Sequence, residues 1–109
     1  MGILDEFIAG LEGFEWDAGN SDKTWLRHEV RQAEAEQALL NRPLVLAVAL
    51  KHAPKESRFL AFGRTDAARQ LAVVFTVRSN RVRVISARPL SRSERKVYAH
   101  AETRSESDS

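Results

Sequence analysis

The sequence feature that most constrains the fold is a pair of β-branched runs separated by only two residues, Ser79 and Asn80. The runs, residues 71–78 and 81–88, each have the length of a strand, so their spacing predicts a β-hairpin with a two-residue turn. Asn80 suits such a turn because asparagine tolerates a positive φ angle. The hairpin matters because its turn determines which residues of the two strands face each other.

Basic residues gather on one side of this hairpin. The two-residue turn predicts three facing pairs, namely Arg78 with Arg81, Thr76 with Arg83, and Val74 with Ile85. Because side chains alternate along a strand, Arg78, Arg81 and Arg83 share one face, and the valines and Phe75 form the core face. Opposed arginines repel each other by roughly a few tenths of a kcal/mol per pair, so the cluster indicates an anionic partner. The alternatives are a solvated face, or contacts with acidic residues such as Glu15 and Asp17.

A helix is predicted after Pro89, because Ser91 and Glu94 have the spacing of a capping box. We expect this helix to have two to three turns and to carry Tyr98. Arg88 has the opposite parity to the hairpin arginines and lies at the end of its strand. There it can reach the amides at the helix start, or it can pair with Glu94, and the sequence leaves both alternatives open.

The remaining pattern predicts an α+β fold, with helices segregated from an antiparallel meander of strands. The expected elements are helices at 3–12, about 21–28 and 31–40, a short strand or extended entry at 14–17, strands at 44–50 and 58–64, and a turn at 65–68. Pro43 ends the third helix. We predict one domain over residues 1–101, with 1–12 as a helical extension and 102–109 as a disordered polar tail.

The charges are distributed unevenly along the chain. Residues 1–40 contain three basic and nine acidic side chains, whereas residues 41–100 contain thirteen basic and three acidic ones. Of the 17 basic residues 13 are arginines, whose planar guanidinium suits phosphate and stacked bases. This asymmetry predicts a part of the protein that binds a polyanion, and the alternative is a solvated basic surface.

Composition excludes several other classes of function. The chain has no cysteine, which excludes disulfides, thiolate zinc sites and cysteine nucleophiles. Its three histidines show no ligand spacing, so we expect neither a metal nor another cofactor. No apolar run approaches the roughly 18 residues of a membrane helix. The first residues lack a basic region followed by an apolar stretch, which predicts a cytoplasmic location.

Several segments, taken in order, form a recognisable signature. They are 16–28 (WDAGNSDKTWLRH), 56–59 (ESRF), 63–66 (GRTD), 73–78 (VVFTVR), 81–88 (RVRVISAR), 91–95 (SRSER) and Tyr98. With this set of motifs the chain resembles the BrnT family of toxins from Phe14 to Tyr98, which is 85 of its 109 residues.

The resemblance implies a RelE-like fold and a ribonuclease toxin of a bacterial type II toxin–antitoxin system that inhibits translation. The implied partner is a BrnA-like antitoxin with a ribbon-helix-helix domain, and the toxin would contact DNA only through their complex. The chain departs from the family pattern at Glu29, where a glycine is usual, and at Arg31, where a capping serine is usual. Thr24 and Pro89 are further departures. We expect those at Glu29 and Arg31 to alter the junction beside His28 and to weaken activity.

Cleavage of RNA without a metal requires a base, an acid, and cations that stabilise the phosphorane. His28 is the candidate base or acid, because the ordinary pKa of histidine is about 6.5. We expect Arg78, Arg83 and Arg88 to hold the scissile phosphate, and Tyr98 to stack on a base or donate a proton. The predicted catalytic set is therefore His28, Arg83, Arg88 and Tyr98, and the RNA-binding set is Lys23, Arg27, Arg64, Arg78, Arg81 and Arg95.

Alternatives remain for the roles of single residues and for the function of the whole protein. His28 also suits a structural place at a helix end, Tyr98 suits a core position, and Trp16 and Trp25 suit the core better than a base platform. As a whole, the protein could be a non-catalytic nucleic-acid-binding or repressor component. It could also be a toxin of the same scaffold that acts on a protein target such as a DNA topoisomerase.

Overall fold

The computed structural model describes residues 13–16, 29–52 and 56–107, with only the backbone described at 48–52, 56 and 105–107. The elements in chain order are β1 (Phe14–Glu15), α1 (Gln32–Leu40), β2 (Val45–His52), β3 (Glu56–Arg64), β4 (Gln70–Arg78), β5 (Arg81–Pro89) and α2 (Arg92–Ser107). The five strands form one sheet in the order β1-β5-β4-β3-β2.

The predicted α+β class and the antiparallel meander are confirmed, because strands β2 to β5 pair antiparallel in sequence order. Of the two alternatives for residues 14–17, the structure has the short strand: β1 pairs parallel with the edge of β5. The helices predicted at 3–12 and 21–28 lie outside the described residues, and the RelE-like arrangement stays a prediction. Where the chain is described, no helix is long and apolar enough to cross a membrane.

The two helices cover opposite faces of the sheet, and each face has its own core. The core on the α1 face comprises Val30, Ala35, Ala38, Leu39, Ala61, Leu71, Val73, Phe75, Val82, Val84 and Ala87. The smaller core on the α2 face comprises Phe62, Ala72, Leu90 and Tyr98. A strand residue whose direct neighbour belongs to one core therefore points to the opposite face of the sheet.

The β4–β5 hairpin has the predicted two-residue turn, with Ser79 at φ 50° and Asn80 at φ 65°. Two positive φ angles in succession define a type I′ turn, which matches the twist of the strands. The predicted pairs Arg78–Arg81 and Thr76–Arg83 are confirmed. The third pair is wrong: Val74 faces Ser86, because a β-bulge makes Ile85 an extra residue in β5.

Helix α1 makes its closest approach to the sheet at Gly63 of strand β3. A Cβ atom at this position would overlap the backbone carbonyl of Ala38 in the helix, so only glycine fits. Just after the helix, Asn41 donates from Nδ2 to the carbonyl oxygen of Arg64 at 3.0 Å and to Oδ1 of Asp66 at 2.9 Å. These bonds hold the end of α1 against the predicted turn that follows β3.

The junction before α1 contains two of the departures from the family pattern, Glu29 and Arg31. Glu29 has φ 53°, the left-handed conformation for which glycine is usual. Arg31 takes the cap position, where its N–H donates to Oε1 of Glu34 at 3.0 Å, but an arginine side chain has no acceptor to return the bond. The guanidinium of Arg69 bridges the junction, since Nη1 donates to the carbonyl oxygen of Glu29 at 2.9 Å and lies 3.1 Å from Oε2 of Glu34.

Burial raises the pKa of Glu34, but the hydrogen bonds from the Arg31 backbone and the Arg69 side chain outweigh it. The net result is a pKa below the ordinary value, so Glu34 is a carboxylate at neutral pH.

Helix α2 begins as predicted and extends further than predicted. The capping box is confirmed, because the N–H of Ser91 donates to Oε1 of Glu94 at 2.8 Å and the N–H of Glu94 donates to Oγ of Ser91 at 3.4 Å. Disorder was expected from residue 102, yet the helix continues to Ser107. One physical reason is that Glu102 is held by Arg64 of strand β3 at 2.9 Å, which anchors a segment without apolar residues.

Candidate nucleic-acid interface

Six arginines project from the α2 face of the sheet, and we call this set the arginine face. It consists of Arg58, Arg64, Arg78, Arg81, Arg83 and Arg88. Their placement follows from alternation, since neighbours such as Val82 and Val84 are buried in the core on the α1 face. Arg78 and Arg81 are exposed at the turn end of the hairpin, while the other four are partly buried.

Arg58 belongs to this set although the sequence reasoning did not select it. Its neighbour Phe59 stacks on Phe75, with ring centroids 5.3 Å apart, and Phe75 lies in the core on the α1 face. Arg58 must therefore point to the opposite face. The signal available in the sequence was the alternation of Arg58 with its neighbour Phe59 in a predicted strand, which places the two side chains on opposite faces.

The predicted parity of Arg88 is wrong. We expected it to point away from the hairpin arginines, but the extra residue Ile85 shifts every later residue of β5 by one position. Arg88 consequently faces Ala72, a member of the core on the α2 face. The bulge thus adds Arg88 to the side on which Arg81 and Arg83 already lie.

Of the two alternatives for Arg88, the structure has the ion pair with Glu94. Arg88 donates from Nη1 to Oε1 of Glu94 at 2.6 Å and from Nη2 to Oε2 at 2.9 Å, a bidentate geometry. The hydrogen bond from Arg88 lowers the pKa of Glu94 to about 2, with burial opposing it and Ser91 assisting. The same contact raises the pKa of Arg88. Arg88 therefore secures the start of α2, and we do not keep it as a phosphate ligand.

Arg83 also contacts a carboxylate, one supplied by the short edge strand β1. Nη1 of Arg83 lies 3.1 Å from Oε1 of Glu15, and the side chains are 18% and 36% exposed. One alternative from the sequence was that acidic residues such as Glu15 contact the arginines. This contact is confirmed for Glu15. Asp17, the other acidic residue considered, lies outside the described part of the chain.

The remaining predicted RNA-binding arginines have different surroundings. Arg64 lies 2.9 Å from Oε2 of Glu102, and Arg95 is exposed on helix α2. Beside Arg64 is an open concavity of about 410 Å³, lined by Asn41, Arg42, Arg64, Thr65, Asp66 and Ala68. The α2 end of the arginine face is therefore linked to helix carboxylates, whereas its turn end carries the exposed Arg78 and Arg81.

Tyr98 occupies the core position that was the alternative to a catalytic role. It is fully buried on the α2 face, and its hydroxyl donates to the carbonyl oxygen of Pro43 at 2.6 Å. Burial raises its pKa to about 12. A side chain in this environment neither stacks on a base nor donates a proton to bound RNA, so we leave Tyr98 out of the site. Trp16 is similar, because it packs against the core on the α1 face and its Nε1 donates to Oε2 of Glu36 at 2.7 Å.

Three of the predicted site residues, His28, Lys23 and Arg27, lie outside the described residues, as does Trp25. In the ranges that the structure describes, no three His, Cys, Asp or Glu side chains come together as a set that could hold a metal ion. The side chains that the structure does bring together are the hairpin arginines and Glu15.

The described part of the chain is an α+β protein with six arginines on one sheet face, three of which are ion-paired with Glu15, Glu94 and Glu102. Comparison with protein-family models identifies the family: residues 16–94 match the model of the ribonuclease toxin BrnT of type II toxin–antitoxin systems. The chain belongs to this family, and so it has an antitoxin as partner and RNA as target. The matched residues include the whole arginine face. A comparison with curated proteins gives no significant match.

Proposed function

We propose that this toxin is a metal-independent endoribonuclease that cleaves RNA in the cytoplasm and thereby inhibits translation. The observation that carries the proposal is the turn end of the arginine face, where Arg78 and Arg81 face each other and Arg83 follows on the same side. Opposed arginines weaken the hairpin slightly, and a phosphate diester would neutralise that repulsion. The fold itself does not require such a cluster.

In this proposal Arg83 holds the scissile phosphate, because it is the most buried of the three and is oriented by Glu15. Arg78 and Arg81 bind the flanking phosphates, where exposure allows a backbone to pass. His28 supplies the acid or base that the cleavage requires. The proposed partner is a BrnA-like ribbon-helix-helix antitoxin, and the toxin contacts DNA only as part of that complex.

The test is cleavage of an end-labelled messenger transcript by the purified toxin in the presence of excess EDTA. We expect the wild type to cleave, and Arg83→Ala to lose about 10²- to 10³-fold in rate, as removal of a transition-state donor does. His28→Ala should lose a similar factor. Arg104→Ala, which removes an exposed arginine in the last part of α2, is the control and should cleave at the wild-type rate.

Two outcomes contradict the proposal. If the folded wild type binds the transcript but leaves it intact, the protein is a nucleic-acid-binding component without cleavage chemistry. If its expression arrests growth and induces a DNA-damage response while bulk RNA stays intact, the target is a protein. Full activity of both Arg83→Ala and His28→Ala would contradict the roles given to these two residues.

A further inference from the structure

We propose that Glu15 is the general base that deprotonates the 2′-hydroxyl of the RNA. This inference rests on the proposed ribonuclease function and adds a catalytic residue that the sequence reasoning did not select. It depends on three observations, which are the fixed position of strand β1, the contact with Arg83, and the partial exposure of the carboxylate.

The position of Glu15 is fixed by its two neighbours and by the edge of the sheet. Phe14 pairs with Val82 and Glu15 with Arg83 in a parallel register, and the carbonyl oxygen of Gly13 accepts the N–H of Val82 at 2.8 Å. Phe14 and Trp16 both pack against the core on the α1 face. Because side chains alternate, Glu15 must project from the other face, on which the arginines lie.

The Trp16 anchor strengthens this arrangement further. Its indole N–H donates to Oε2 of Glu36 on helix α1 at 2.7 Å, which ties the strand to the opposite side of the sheet. A two-residue strand held by backbone bonds and by two packed aromatic side chains is a rigid support. Rigid support is what a catalytic group requires, since small displacements cost large factors in rate.

The contact with Arg83 places the carboxylate beside the proposed phosphate site. Oε1 of Glu15 lies 3.1 Å from Nη1 of Arg83, so a phosphate held by this guanidinium would be adjacent to the carboxylate. The 2′-hydroxyl that attacks is attached to the same ribose as the scissile 3′-phosphate. Glu15 is 36% exposed, which leaves the carboxylate accessible to a substrate on the arginine face.

The chemical step is an internal transfer of the phosphoryl group. The carboxylate of Glu15 accepts the proton of the 2′-hydroxyl, and the 2′-oxygen forms a bond to phosphorus as the bond from phosphorus to the 5′-oxygen breaks. The 5′-oxygen takes a proton from an acid, which is His28 in the proposed function. The products are a 2′,3′-cyclic phosphate and a 5′-hydroxyl, and Glu15 returns its proton to solvent. Arg83 stabilises the charge that develops on the phosphorane.

A second interpretation of the same contact predicts the opposite result. If Glu15 only occupies Arg83 in place of a phosphate, its removal would strengthen binding of RNA and speed up cleavage. If Glu15 is the base, its removal slows cleavage while RNA binding is kept or strengthened. Measuring the rate and the affinity of the same variant therefore separates the two roles.

The test compares Glu15→Gln with Glu36→Gln on the other face, a matched control because the amide oxygen of glutamine can still accept the indole N–H of Trp16 and so keep strand β1 in place. Cleavage of the end-labelled transcript in EDTA is followed from pH 4 to pH 9, and affinity is measured with the 2′-O-methylated transcript, which cannot be cleaved. We expect Glu15→Gln to cleave about 10²- to 10⁴-fold more slowly, the range for loss of a general base. Its affinity should equal or exceed that of wild type. Glu36→Gln should keep the wild-type profile.

The inference is overturned if folded Glu15→Gln cleaves within about threefold of wild type, or faster. A product that ends in a simple 3′-phosphate, with no cyclic phosphate at early times, would also overturn it. Should Glu15→Gln not fold, Glu15→Asp serves instead: its shorter side chain moves the base away from the 2′-hydroxyl, so cleavage should be slower with affinity kept, and cleavage at the wild-type rate contradicts the role. A wild type that leaves RNA intact overturns the proposed function itself, which distinguishes the two failures.

Discussion

Replacing Glu94 by glutamine should destabilise the protein in a way that depends on pH. In the structure the Glu94 carboxylate accepts two hydrogen bonds from Arg88, at 2.6 and 2.9 Å, and one from the N–H of Ser91 at 2.8 Å. Glutamine keeps an acceptor for Ser91 but loses the negative charge that Arg88 contacts. The variant therefore tests the ion pair while leaving the cap of helix α2 largely intact.

The magnitude follows from the pKa of Glu94, which the fold lowers from 4.5 to about 2, chiefly through the Arg88 hydrogen bonds. At about 1.4 kcal/mol per pKa unit this corresponds to at most about 3.5 kcal/mol. The Arg88 side chain is 39% exposed, so solvent screening reduces the expected loss to about 1–2 kcal/mol. Because the folded pKa is the lower one, this stabilisation is present above pH 4.5 and disappears as the pH falls towards 2.

The assay is urea unfolding followed by circular dichroism at pH 7 and at pH 2. We expect Glu94→Gln to be less stable than wild type at pH 7 and equal to it at pH 2. A double-mutant cycle with Arg88→Met isolates the pair from other effects of each substitution. A loss at pH 7 below about 0.3 kcal/mol, or a loss of the same size at both pH values, would refute the reasoning.

Three further predictions concern packing and backbone strain. Gly63→Ala should cost about 3 kcal/mol in urea unfolding, because its Cβ would overlap the Ala38 carbonyl; an unchanged midpoint would contradict this close approach. Tyr98→Phe should cost about 1 kcal/mol by loss of its bond to Pro43, with cleavage of RNA unaffected; a loss of cleavage would return Tyr98 to the site. Glu29→Gly should raise stability by about 0.5 kcal/mol, since relief of the left-handed strain exceeds the added entropy of the unfolded chain; Glu29→Ala, the control, should bring no such gain.

The sheet was predictable because its strands show strong local signals. The Ser79–Asn80 turn determined the register of the nearest pairs, and these are correct. The error appeared beyond Val84, where one extra residue in β5 reversed the parity of Arg88. The structure shows the bulge in the burial of β5, whose buried positions are 82, 84 and 87 in place of a strict alternation. Burial cannot be seen in the sequence, so the bulge was not predicted.

The C-terminal helix was underestimated for a different reason. Its start was predictable from Ser91 and Glu94, whose capping box is a local motif. Its length was not, because the residues after 101 have no apolar face and local rules favour disorder. Glu102 accepts hydrogen bonds from two residues far away in sequence, Arg64 and Gln70. Such long-range contacts cannot be predicted from the local sequence pattern.

Counting charges along the chain indicated a basic region, but a count does not show which acidic and basic side chains are in contact in the fold. Residues 1–40 carry an excess of acidic side chains, and one of them, Glu15, lies against Arg83 on the arginine face. Helix α2 brings two further carboxylates, Glu94 to Arg88 and Glu102 to Arg64. Among the described residues, the two ends of the arginine face therefore differ: its α2 end is bound to the helix by ion pairs, and its turn end presents the exposed Arg78 and Arg81, with Glu15 beside Arg83. Arginines alone would bind RNA without cleaving it, and the role proposed for Glu15 adds the base that cleavage requires.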